Sequence, residues 1–188
     1  MDKFIQFLEK HLGTIECGWS EDDNGEPLPV QIVKYTKGPF SGTKTYSTLG
    51  LNKVPLTSSV SGKPIWQELI FVSYFNIGNL NIPGLLAQVS QMALDSKTAF
   101  LRGDVIETYG PIFDDSNLEA LYVSIPGYFP DSFDSFKVDD EKTIIMAWVI
   151  PITSNEAEFI RQNGWEEFED KLEELDPDLI DFKRESII

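Results

Sequence analysis

The apolar positions change period along the chain, and the changes mark out the elements. Phe4, Ile5, Leu8 and Leu12 recur at helical spacing and Gly13 stops the run, so residues 2–12 are predicted as an amphipathic helix. "CGWSEDDNGEPLP" (17–29) has no apolar period and is expected to be an acidic, turn-rich loop, with Asn24-Gly25 making the turn. "VQIVKY" (30–35) and "TKTYSTLGL" (43–51) predict strands joined through Gly38-Pro39 and Gly42. "KVPLTSSVSGKP" (53–64) is expected as a polar loop, and the β-branched and aromatic "IWQELIFVSYF" (65–75) as a central strand. Pro83-Gly84 opens a predicted helix through about Leu94, with Leu85, Leu86, Val89, Met92 and Ala93 inward.

Three further strands are expected at 102–110, 118–126 and 143–152, the last apolar on both faces and so covered on both sides. Thr153-Ser154-Asn155-Glu156 is a capping box, and Asn163-Gly164 supplies the residue that ends the helix it starts. Trp165, Phe168, Leu172 and Leu175 continue an apolar stripe to the Asp176-Pro177 stop. The expectation is one α+β domain over 1–188: a mixed, largely antiparallel sheet flanked by helices.

Charge narrows the choice of partner. Thirty-one acidic against fifteen basic residues give a net charge of −16 and a pI near 4.3. Such a field repels nucleic acid and anionic lipid and attracts basic proteins. Residues 154–185 carry twelve carboxylates against four cations, half of the chain's net charge. With the apolar stripe inward, Glu166, Glu167, Glu169, Asp170, Glu173 and Glu174 are predicted to face water as a candidate partner-binding surface, although charge runs are usually just solvated faces.

No residue set meets the needs of catalysis or of a cofactor, so no enzyme, cofactor or metal is expected. His11 is the only histidine and Cys17 the only cysteine, which excludes an intrachain disulfide and a cysteine zinc cluster. No serine sits on a nucleophile elbow and no glycine-rich phosphate loop follows a strand. Aligning Gly25 with the sixth position of a calcium loop puts Ser20 first and Gln31 twelfth, neither a carboxylate. The pairs Asp22/Asp23, Asp114/Asp115 and Asp139/Asp140 sit in polar turns, and the four tryptophans are expected in the core. The start of the chain interleaves charges with apolar residues, unlike a signal peptide. The longest apolar run, 144–152, is far short of the roughly 20 residues that span a membrane. A cytoplasmic protein with no membrane or nucleic-acid partner is expected.

Taken in order, "YSTLGL" (46–51), "WQELIF" (66–71), "GLLAQVSQMALDSKTAFLRGDVI" (84–106) and "IIMAWVIPITSNEAEFIRQNGWEEFEDKLEE" with Arg184-Glu185-Ser186 resemble the Suppressor of fused family from about residue 30 to the end. The resemblance implies an α+β domain that binds protein segments without chemistry. Animal members hold a transcription-factor peptide as an added strand. Many small bacterial members are immunity proteins encoded beside polymorphic toxins, and some are antitoxins to LXG-type toxins. The resemblance therefore implies an immunity protein whose partner is a cognate toxin, and the acidic balance suits a basic one. The alternative is a regulatory adaptor that adds a partner's peptide strand to its sheet, as in the animal proteins.

Overall fold

The computed structural model describes residues 3–77, 81–108 and 110–188. Asp2 and Tyr109, expected at the start of the first helix and in a strand, lie outside the described residues. Four helices are described: α1 (Lys3–Leu12), α2 (Ile82–Ser96), α3 (Ser154–Asn163) and α4 (Trp165–Leu175). Nine strands are described: β1 (Thr14–Glu21), β2 (Pro27–Thr36), β3 (Thr43–Leu49), β4 (Leu56–Thr57), β5 (Pro64–Tyr74), β6 (Val105–Glu107), β7 (Leu118–Ser124), β8 (Ser135–Lys137) and β9 (Thr143–Thr153). The expected α+β class with a mixed, largely antiparallel sheet is what is observed. The chain divides into two units: Met1–Phe100 with Ile125–Trp148, and Leu101–Ser124 with Val149–Ile188.

In the first unit the strands hydrogen-bond in the order β1-β2-β3-β5-β9. The ladders are antiparallel except β5 with β9, where Trp66–Ile70 run parallel to Ile144–Trp148. β4 pairs with the start of β5, and β8 with the start of β9. Residues 67–73 of β5 are buried in unbroken succession, as a strand covered on both faces must be. α2 packs on β2 and β3 through Ile82, Leu86, Val89 and Ala93. Met92, expected inward, lies at the margin of that stripe and is 42% exposed. α1 buries Phe4, Leu8 and Leu12, and its Phe4 and Phe7 rings lie 5.3 and 5.0 Å from Phe136.

Three strands lie outside the expected ones. β1 occupies the first part of the predicted 17–29 loop, and in it only Ile15 and Trp19 are even half-buried. Pairing with β2 alone makes it a strand, and an end strand has no need of an apolar face. β4 and β8 are two and three residues long, shorter than any period can register. The Asn24-Gly25 turn itself is as expected: the Asp22 carboxylate accepts the Asn24 and Glu26 N–H groups at 2.8 and 2.9 Å.

In the second unit β6 pairs antiparallel with β7, and β7 neighbours β9. α3 packs on β7 and α4. Its capping box forms as predicted: Thr153 Oγ1 accepts from Glu156 N at 3.2 Å, and Thr153 N donates to Glu156 Oε2 at 2.8 Å. Glu156 is also fully buried and gripped by both terminal guanidinium nitrogens of Arg184, Nη1 and Nη2, at 2.6 and 2.8 Å. Ile187 N donates to the same carboxylate at 3.1 Å, so one side chain starts the helix and fastens the tail.

Candidate partner-binding surface

α4 is held by two aromatic contacts. Gly164, at φ 95°, lets α3 end and α4 begin without a linker. The Trp165 ring covers Gly103, where an added Cβ would come within 2.4 Å of it, and the Arg102 guanidinium lies 4.7 Å from the ring centre. One turn on, the fully buried Phe168 meets Tyr122 edge-on, with centroids 5.2 Å apart. Leu175, expected inward, is the last residue of α4, where the chain turns left-handed at Asp176, and it is 52% exposed.

Those anchors decide where the acids go. Glu166, Glu167, Asp170, Glu173 and Glu174 are exposed, as predicted, and make no hydrogen bond or ion pair with the described residues. Glu169 departs from the expectation. Its side chain is only 16% exposed and accepts from Arg102 Nε at 3.1 Å, Tyr122 OH at 2.7 Å and Ser124 Oγ at 3.3 Å. The physical reason is tertiary: the Arg102 guanidinium and the Tyr122 and Ser124 hydroxyls converge on this position of α4 and satisfy the carboxylate there. Burial, then the bond to Glu169, pushes the Tyr122 hydroxyl far above its ordinary pKa. The face that remains outward is thus five carboxylates, with Glu166/Asp170 and Asp170/Glu174 repelling at i, i+4.

Two of the other acidic pairs serve their turns. Asp22 and Asp139 each accept two backbone N–H groups, which hold both carboxyls below the usual range. His11 bonds the Phe7 carbonyl at 2.9 Å and Ser132 Oγ at 3.1 Å, packed on Phe7 and Phe133. Trp148 is core, whereas Trp19, Trp66 and Trp165 are half-buried. Among the described residues no three of His, Cys, Asp and Glu converge on a metal-sized site, and no helix is long and apolar enough to cross a membrane.

A fully buried carboxylate, Glu68, went unassigned from sequence. It accepts from Gly50 N at 2.8 Å and Asn52 N at 3.2 Å, and also from the Thr48 hydroxyl and the Asn52 amide. Thr48 Oγ1 in turn accepts Leu69 N at 2.8 Å. Glu68 therefore pins the Gly50–Asn52 turn to β5. The legible signal was an acid inside an apolar strand, paired with a Gly-Leu turn upstream.

The Suppressor of fused protein (SUFU) family model matches residues 26–185, which runs through both units. The chain belongs to this family. Glu68 and the Glu156–Arg184 pair fall within the matched segment. Immunity protein YqcF of Bacillus subtilis (strain 168) is 21% identical over 170 residues, 90% of this chain and 86% of that protein. The crystal structure of a SUFU homologue from Neisseria gonorrhoeae FA 1090 shares the fold with a TM-score of 0.76, at 21% identity over 98% of this chain and 94% of that one. A chain of the Sufu–Fu complex gives a TM-score of 0.70 at 15% identity, over 98% and 90% of the two chains.

Proposed function

We propose that this protein is a non-catalytic immunity protein, an antitoxin that neutralises a cognate protein toxin by direct, stoichiometric contact in the bacterial cytoplasm. The observation that carries the reading is the outward, unpaired set Glu166, Glu167, Asp170, Glu173 and Glu174 on α4, a helix held firmly by Trp165 and Phe168. Self-repulsion on such a face costs stability, and a basic partner would relieve it. It suits a basic toxin, because charge complementarity speeds encounter and rejects wrong partners. The relative named as an immunity protein supports the same reading. An LXG-type toxin is the finer form of the proposal.

The test is co-expression with the toxin-domain protein encoded beside its gene, scoring survival, followed by titration of the purified pair. Protection with an inhibition break near equimolar is expected. Turnover-dependent neutralisation at far lower ratios overturns the non-catalytic reading. Reversal of Glu166, Asp170 and Glu173 to Lys is expected to slow association and abolish protection. If protection and on-rate survive the reversal, α4 is solvated surface only and the partner docks elsewhere, with the loop at 52–64 the next candidate. A second reading, an adaptor that adds a peptide strand, draws on one observation. β1 ends the ladder of the first unit, with only β2 beside it.

A further inference from the structure

A groove in the first unit reverses the charge of the molecule. It encloses about 900 Å³ between α1, the start of β2, the turn after β3, and the β8–β9 hairpin. That lies within the roughly 300–1,000 Å³ of ordinary ligand clefts. Four of its sixteen lining residues are lysines, Lys3, Lys53, Lys137 and Lys142, and none of the sixteen is Asp or Glu. In a chain with twice as many acids as bases, an acid-free lining with four cations is the opposite of what the composition supplies.

The lysines are not consumed by internal pairing. Lys3 and Lys53 are exposed and make no ion pair with the described residues. Lys137 bonds Asp140 at 2.7 Å, but both side chains are largely in water, and an exposed pair of this kind is weakly held. Lys142 is fixed in place: its Nζ donates to Asn52 O at 2.8 Å and Oδ1 at 3.2 Å, and lies 6.0 Å from the Trp66 ring. Asn52 is in turn held by the buried Glu68, so the turn that carries Lys53 and seats Lys142 is rigid. Between the cations the lining is largely apolar, with Ile5 and Leu28 half-buried and Val138 48% exposed.

We infer that this groove binds an acidic–apolar peptide segment of a partner protein, its carboxylates on the lysines and its aliphatic side chains on the lining. A nucleic acid would also meet the lysines. However, a polyphosphate is charged at every nucleotide and is repelled by the −16 field more strongly than a peptide whose carboxylates alternate with apolar side chains. The lining rings Phe4 and Phe136 also already pack on each other rather than standing free to stack bases. The proposal does not depend on α4, which carries charge of the other sign.

The experiment uses the full chain and a short fluorescein-labelled peptide of alternating glutamate and leucine, followed by fluorescence anisotropy at low and moderate salt. Saturable binding that weakens with salt is expected. The triple reversal of Lys3, Lys53 and Lys137 to Glu should weaken it at least about tenfold. A control reversal of Lys63 and Lys97, outside the lining, should change it less than about twofold. Circular dichroism verifies folding of each variant, and Lys53→Glu alone, on an exposed side chain, provides a milder version. Absence of saturable binding by the wild type overturns the proposal, as does equal binding by the triple variant. So does tighter binding of a single-stranded oligonucleotide of matching charge. Reversal of the α4 acids should leave probe affinity unweakened, so the failure of either proposal is seen separately.

Discussion

Arg184→Met removes the cation that faces the buried Glu156. In the native structure that carboxylate has four donors: the two Arg184 nitrogens at 2.6 and 2.8 Å, Ile187 N at 3.1 Å and Thr153 N at 2.8 Å. The substitution leaves two backbone donors and an uncompensated charge that water does not reach. Breaking a buried pair in this way costs about 3–5 kcal/mol. The exposed Arg161–Glu158 pair, also at 2.8 Å, is worth at most about 1 kcal/mol, so burial rather than distance sets the scale. For a chain of this size the loss corresponds to a fall in Tm on the order of 10 °C. Urea unfolding followed by circular dichroism at neutral pH measures it. Arg184→Lys should rescue little, because a single ammonium cannot span both carboxylate oxygens. The double variant Glu156→Gln with Arg184→Met removes the stranded charge and should be more stable than Arg184→Met alone by at least about 1 kcal/mol. An Arg184→Met protein within about 1 kcal/mol of wild type would refute the reasoning, because the tail would then not be fastened through this pair.

Charge reversal of Glu166, Asp170 and Glu173 should leave Tm equal or slightly higher, because the Asp170/Glu174 repulsion becomes an attraction worth roughly 0.2–0.5 kcal/mol while positions 166 and 170 stay like-charged; a marked loss of stability would contradict the exposed placement of these acids. Gly164→Val forces a β-branched residue to φ 95° and should cost at least about 1–2 kcal/mol, with Thr153→Ala costing about 0.5–2 kcal/mol through the lost cap; partner binding by the folded fraction is expected to survive both. Tyr35, Tyr46 and Tyr122 are raised above the ordinary phenol range, chiefly by burial. Their neutral forms are favoured in the fold, so the stability they contribute is complete below about pH 10 and is lost as pH rises beyond it. Absorbance at alkaline pH should therefore show these three of the six tyrosines un-ionised until the protein unfolds, and reversible ionisation of all six in the folded state would contradict it.

The sequence by itself determined the elements whose physics is local. The stripe Phe4, Leu8, Leu12, the capping box at Thr153 and Glu156, the Asn24-Gly25 turn and the twice-covered β9 all depend on residues a few positions apart, and each is found where expected. Order and spacing along the chain also sufficed to place it in the SUFU family. What only the tertiary structure decided depends on distant partners. β1 is a strand because β2 lies beside it: the alternation of Ile15, Cys17 and Trp19 with Glu16, Gly18 and Ser20 is short, is interrupted by register shifts and leaves none of the three buried. Glu169 has the same neighbours in sequence as the other acids of α4. It turns inward because Arg102, Tyr122 and Ser124 arrive from more than forty residues away. Glu156 is legible in sequence as a capping-box acid and Glu68 as an acid inside an apolar strand, but only the fold brings Asn52 to Glu68 and Arg184 to Glu156. The lysine groove gathers Lys3, Lys53, Lys137 and Lys142 from separate segments of the chain. A net charge sums over the whole chain, whereas a potential depends on which charges share a surface, so the composition pointed to a basic partner and gave no sign of a groove of the opposite sign.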